Sequence, residues 1–84
     1  MNIGFTQTIQ ANYLKDQKGL IFLITWSTKN YKEILGIVME TNKTIVTVGL
    51  MEFSEERGFY PIPGIIHINT TSSDTEMRLF IKGN

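Results

Sequence analysis

The sequence predicts an all-β fold, an antiparallel meander of about six strands that forms a small barrel or sandwich. Apolar residues recur mostly at every second position, which is the period of a half-buried strand. Turn-forming segments separate these runs, and no stretch shows a 3.6-residue apolar period. With 84 residues, the chain is expected to be one domain, residues 1–84. A domain of this size buries only roughly 60–65% of its unfolded surface, so we expect modest stability.

The first strands follow from two kinds of apolar pattern. Residues alternate over Asn2–Tyr13, which predicts a half-buried strand, with a short helix over Gln7–Lys18 as the alternative. A turn is expected at Asp16–Gly19. The run Leu20–Trp26 is continuously apolar, as in a strand that is covered on both faces.

Two further hairpins complete the predicted meander. One joins strands at Ile34–Thr41 and Thr44–Phe53 about Asn42-Lys43. The other joins strands at Gly64–Thr70 and Thr75–Lys82 about Ser72-Ser73, so that the last strand lies beside Gly64–Thr70.

Opposed residues on neighbouring strands share a face, so the predicted hairpins must agree on one apolar side. A turn centred on Asn42-Lys43 pairs Ile37 with Val48, and one centred on Lys29-Asn30 pairs Phe22 with Ile37. A turn at Asp16-Gln17 and the last hairpin extend the same face. The predicted core is Ile9, Tyr13, Leu20, Phe22, Ile24, Leu35, Ile37, Met39, Val46, Val48, Leu50, Ile66, Ile68, Met77 and Leu79.

This register has two consequences for binding. It places Gly36 opposite Gly49, which predicts a sharp bend in the sheet or the close approach of a ligand or partner. It also leaves the opposite face more apolar than a solvated face should be. We predict that this second face binds a partner through Ile21, Leu23, Ile34, Val38, Ile45 and Met51. The alternative is that the loop Ser54–Pro63 or the N-terminal strand folds over this face.

The stretch Glu52–Pro63 predicts a stiff loop, because it holds both prolines and several aromatic residues. Such loops are frequent recognition elements, and aromatic rings with an arginine also stack unpaired bases. The alternative is that the aromatic side chains close one end of the fold. An alternative ligand-binding site would therefore comprise Tyr31, Arg57, Phe59 and Tyr60.

The chain holds few residues suited to catalysis or metal binding. It has no cysteine and one histidine, His67, which the predicted last hairpin places beside Arg78, Asn69 and Glu76. Such a group serves as acid, base and phosphate clamp in some ribonucleases, but an ordinary solvated cross-strand face is the favoured interpretation. The acidic residues near Glu55 lack the spacing of a calcium loop. We therefore predict no catalytic residue, no metal, no cofactor and no enzymatic activity.

Charge and hydropathy restrict the partners and the compartment. Eight basic and eight acidic residues cancel, which disfavours nucleic acid and anionic membranes as partners. The sequence shows no signal-peptide pattern and no apolar run long enough to span a membrane as a helix. We expect a cytoplasmic location, in a cell or in a host if the protein is viral.

The layout is similar to small SH3-like and Sm-like barrels. The stretch Ile34–Asn42 resembles the strand of Sm-like proteins that carries a glycine and then turns. The acidic and asparagine residues that bind RNA in that family have no match here. The resemblance therefore implies a fold and not a function, because such barrels host many functions.

These observations predict a non-catalytic interaction module that self-associates, as a homo-oligomer, or docks on a protein partner. The alternative is weak binding of single-stranded nucleic acid or a small ligand through residues 52–63.

Overall fold

The computed structural model describes residues 3–27, 32–71 and 76–83 of the chain. In order along the sequence, the elements are β1 (Phe5–Ile9), a 3₁₀ turn (Ala11–Leu14), β2 (Ile21–Trp26), β3 (Lys32–Asn42), β4 (Ile45–Ser54), β5 (Gly58–Asn69) and β6 (Met77–Lys82).

The six strands form one antiparallel sheet, so the all-β prediction is confirmed. Their order is β1-β6-β2-β3-β4-β5. The middle of the sheet, β2 to β5, is a meander. The sheet does not close between β1 and β5 over the described residues, so the predicted barrel is not confirmed.

The terminal strands pair differently from the prediction. β6 lies between β1 and β2 and is antiparallel to both. The predicted β1–β2 hairpin is therefore wrong, and so is the predicted pairing of the last strand with Gly64–Thr70. The first strand also ends earlier than predicted, because residues Ala11–Leu14 turn inward and bury Leu14 completely. The turn residues Ser72-Ser73 and Lys29-Asn30 lie outside the described residues.

The central strands are paired one residue away from the predicted register. Phe22 is opposite Gly36, and Leu23 is opposite Leu35. Gly36 in turn faces Leu50, so the predicted Gly36–Gly49 pair is wrong. The β3–β4 turn is at Lys43-Thr44, with Lys43 in the left-handed region (φ 56°), and Met39 forms a bulge in β3. Because side chains alternate between faces, one residue of slip moves each of them to the other side.

The absence of a side chain at Gly36 explains why this register packs well. A Cβ atom at that position would collide with the Cγ1 atom of Val48 and would lie 3.7 Å from the ring of Phe22. Both of these side chains are fully buried. Gly36 therefore allows the side chains of β2 and β4 to meet over β3.

The sheet has an apolar core on each face. The first core contains fully or largely buried residues from every strand except β1, together with the 3₁₀ turn: Leu14, Phe22, Ile24, Val38, Val46, Val48, Ile68, Leu79 and Ile81. The second core is smaller and consists of Phe5, Leu23, Leu35 and Met51, surrounded by half-buried residues such as Phe53, Phe59 and Phe80. The apolar pattern predicts one core face, and the structure divides the residues of that predicted core between two faces.

A bend in the β4–β5 hairpin covers the second core. The pairing jumps from Gly49–Ile65 to Met51–Pro61, which leaves three residues of β5 in the bend. Gly64 takes φ +125° there, and a Cβ atom would lie 2.8 Å from Leu50 Cδ1, so only glycine fits without strain. On the N-terminal side of the bend, the Phe59 ring lies edge-on to the Phe5 ring of β1, and the two ring centres are 5.9 Å apart. The predicted 52–63 loop is therefore mostly strand.

Two predicted core residues are exposed instead. Tyr13 and Met39 each keep 44% of their surface accessible, because Tyr13 lies in the 3₁₀ turn and Met39 lies at the bulge. Among the described residues, no helix is long and apolar enough to cross a membrane.

Two glycine variants test the packing at Gly36. Gly36→Ala should destabilise the protein by about 1–3 kcal/mol, because the new methyl group overpacks the first core against Val48. Gly49→Ala is the matched control. Its Cβ would meet the exposed, flexible Met39 side chain at 3.0 Å, and because that side chain can move aside, the loss of stability should be clearly smaller than in Gly36→Ala. Urea unfolding followed by fluorescence of Trp26 measures both. Equal losses in the two variants would contradict this packing.

Candidate functional site

The described surface carries an apolar cleft of about 470 Å³. This volume lies in the range of sites that bind small molecules. Its lining comes from β2 to β5 and is mostly aliphatic or aromatic, with two carboxylate residues: Leu23, Glu33, Ile34, Leu35, Leu50, Met51, Glu52, Phe53 and Ile62.

The cleft borders the second core. Leu23, Leu35 and Met51 form a row of opposed residues across β2, β3 and β4, and all three are largely buried. Ile62 belongs to the segment of β5 within the bend, so the bend at Gly64 brings a fourth strand to the site. The cleft therefore depends on both the register of the sheet and the bend of its last hairpin.

Two acidic residues line the cleft. Glu33 lies near the start of β3, and Glu52 lies on the neighbouring β4. An apolar wall with carboxylates beside it suits a ligand that combines an apolar group with a positive charge.

Beyond Glu52, the tip of the β4–β5 hairpin is held by its own polar groups. The hydroxyl group of Tyr60 donates a hydrogen bond to Glu52 Oε1 at 3.0 Å. The Arg57 guanidinium lies 3.9 Å from the centre of the Tyr60 ring, a cation–π contact. The backbone N–H of Arg57 donates to Ser54 Oγ at 3.0 Å, which fixes the turn.

These contacts change the acidity of Tyr60. The hydrogen bond to Glu52 raises the pKa of the Tyr60 hydroxyl, with further increases from partial burial and from the negative charge of Glu52. The positive charge of Arg57 acts in the opposite direction. The neutral phenol is therefore stabilised as a donor to Glu52.

The structure separates the six residues of the predicted partner-binding face. Leu23, Ile34 and Met51 do meet, at the cleft. Val38 lies in the first core with 2% of its surface exposed. Ile21 packs at the edge of the second core, and Ile45 is half-buried beside the β3–β4 turn. The predicted surface is thus not one continuous face, because the register differs by one residue.

The alternative ligand site is only partly open. Tyr31 lies outside the described residues. Phe59 packs in the second core, 5.0 Å from the Phe53 ring centre, and Arg57 covers one face of Tyr60. The aromatic side chains of this hairpin thus contribute mainly to internal packing.

The predicted histidine group does not assemble. His67 is opposite Thr47, and its Nδ1 atom lies 3.3 Å from Thr47 Oγ1. Arg78 lies on β6, opposite Thr25, and three strands separate β6 from β5 in the sheet order. The prediction that His67 faces Arg78 was wrong because β6 does not pair with β5. Over the described ranges, no three histidine or acidic side chains are grouped as metal ligands would be.

The sequence did not indicate that several residues belong to one site. These residues of the cleft are Glu33, Leu35, Leu50, Glu52, Phe53 and Ile62. The sequence does carry one signal for this site: each of two neighbouring apolar strands contains a glutamate. That signal is informative only when the register and the bend are known.

Comparisons with protein-family models, with curated proteins and with solved structures found no match to this chain.

Replacing Glu52 tests the hydrogen bond at the hairpin tip. In Glu52→Leu, the pKa of Tyr60 should fall toward the usual value of about 10, because both the acceptor and its charge are lost. Glu56→Leu, at an exposed position of the same turn, is the control and should leave the Tyr60 titration unchanged. NMR signals of the Tyr60 ring, followed against pH, measure the shift.

The sign of the linked stability effect follows from the raised pKa. The contribution of this hydrogen bond should be fully present below about pH 10, the unfolded pKa, and lost as pH rises through the folded pKa. An identical Tyr60 titration in the native protein and in Glu52→Leu would contradict the contact.

Proposed function

We propose that this protein is a non-catalytic interaction module that docks on a protein partner through the apolar cleft. The cleft accepts one apolar side chain of the partner, and the adjacent carboxylates favour a lysine or arginine next to that side chain. The observation that carries the proposal is the cleft itself, with its aliphatic and aromatic lining and its two glutamates.

The residue types of the cleft support binding rather than catalysis. Among the described residues, its lining holds carboxylates but no histidine, lysine, serine or threonine, so these residues do not assemble a nucleophile with a partner base there. His67, the only histidine in the sequence, is exposed and contacts Thr47 at another part of the sheet. A recognition role requires only shape, apolar area and charge complementarity.

A protein partner fits the charge of this surface better than nucleic acid does. Glu33 and Glu52 belong to the cleft, and in the adjoining turn the exposed Glu55 and Glu56 outnumber the basic Arg57. Phosphate groups would be repelled by these carboxylates, and phosphate contacts normally dominate nucleic-acid affinity. Basic side chains of a protein partner would be attracted by the same groups.

The size of the cleft sets the strength of the interaction. Full burial of one leucine or phenylalanine side chain contributes about 1.5–3 kcal/mol. A single anchor with a flanking charge therefore supports a transient interaction, and a tighter complex would need contacts outside the cleft.

Titration with two short peptides tests the proposal. We expect the peptide acetyl-Arg-Leu-Phe-Arg-amide to shift backbone NMR signals of the residues that line the cleft. The acidic counterpart acetyl-Glu-Leu-Phe-Glu-amide should bind several-fold more weakly, because its charges are repelled.

Matched variants locate the binding site. Ile34→Trp should fill the cleft and abolish the shifts, whereas Ile45→Trp, at another half-buried strand position, should retain them. Glu52→Gln should weaken binding of the basic peptide, and Glu40→Gln, an exposed carboxylate of β3 outside the cleft, should not. Equal binding of the two peptides, or unchanged binding in Ile34→Trp, would overturn the proposal.

A further inference from the structure

The second half of β5 is an open sheet edge. β5 ends the strand order, with β4 as its hydrogen-bonded neighbour over the described residues. The N–H of Thr70 donates to the carbonyl oxygen of Thr44 at 2.8 Å, which makes 44 and 70 a hydrogen-bonded pair. Because such pairs alternate along an antiparallel ladder, the backbone groups of Ile65, His67 and Asn69 point away from β4.

This edge lacks the features that normally protect a strand. In the first half of β5, Pro61 and Pro63 remove backbone donors, but no proline or charged residue follows in Gly64–Asn69. Ile65 keeps 56% of its surface exposed, and it is opposite Gly49. The exposed Met39 side chain lies over the same glycine, so the edge carries apolar surface as well as backbone groups that point away from β4.

We propose that this edge binds a second copy of the chain, with β5 pairing antiparallel to β5 of the partner about a two-fold axis at His67. In this register, Ile65 faces Asn69 of the other copy and His67 faces its own equivalent. The backbone N–H and C=O groups of all three outward-facing residues then pair with those of the other copy. Pro63, which has no N–H, lies outside the paired segment.

The side chains of the strand are self-complementary in the same register. Ile66 and Ile68 lie on the face of the first core, where they oppose Val48 and Val46. Across the two-fold axis, Ile66 of each copy is opposite Ile68 of the other, so the apolar surface continues from one sheet into the next.

A second copy is a more suitable occupant of this edge than an unrelated chain. One self-complementary strand is sufficient for a two-fold dimer. The net charge of the chain is zero, so two copies do not repel each other. This contact involves no residue that lines the cleft, and it is therefore independent of the proposed function.

Charge variants at the axis test both the dimer and its register. Analytical ultracentrifugation of the native chain should give the mass of a dimer. His67→Lys and His67→Glu should each shift to the monomer mass, because like charges would face each other across the axis. An equimolar mixture of the two variants should recover the dimer mass as a heterodimer. Thr8→Lys, an exposed position on the opposite edge strand β1, should remain dimeric.

A backbone variant provides a second test. His67→Pro removes only an outward-facing N–H and should give a folded monomer, whereas His67→Ala keeps that donor and should remain dimeric. If His67→Pro does not fold, the equimolar mixture of His67→Lys and His67→Glu remains the test of the dimer. A monomeric native chain, or dimers that persist in both His67→Lys and His67→Glu, would overturn the proposal.

Discussion

Phe22 of β2 and Val48 of β4 pack so closely over Gly36 of β3 that no side chain fits at that position. The rest of the structure depends on this packing. Gly36 brings two fully buried residues together across the middle strand and sets the pairing of β2 with β3. Once Phe22 is paired with Gly36, the alternation of side chains along each strand places Leu23, Leu35 and Met51 on the other side of the sheet. Both sides of the central strands must then be covered, which a flat sheet cannot achieve alone.

The chain covers its second face by bending β5 at Gly64, and this bend divides the strand into two halves with different roles. The first half packs Phe59 against Phe5 and leaves the cleft between Ile62 and the central strands. The second half continues the ladder with β4 but leaves its outer backbone groups open. The proposed docking of a partner and the proposed pairing of two copies thus use separate parts of one strand, so the two interactions do not compete.

The sequence was sufficient to predict the fold class and the positions of the central strands, because a two-residue apolar period is a local property. It was insufficient for the register, because β2, β3 and β4 are apolar on both faces. A slip of one residue therefore exchanges one apolar face for another, and the sequence pattern does not exclude it. The turn at Lys43-Thr44 and the bulge at Met39 shifted the pairing. The insertion of β6 between β1 and β2 is a long-range feature without a local signal. The cleft depends on all of these features, so only fragments of it were predicted.

The register of β2 against β3 is the central claim, and one NMR measurement tests it directly. The N–H of Val38 donates to the carbonyl oxygen of Leu20 at 2.9 Å, so Leu23 and Leu35 oppose each other at a position without hydrogen bonds. The Hα atoms of such a pair approach closely and give a strong nuclear Overhauser effect. The structure predicts this signal between Leu23 and Leu35. Its absence, with a strong Hα–Hα signal between Thr25 and Ile34 instead, would contradict the register and the division into two cores.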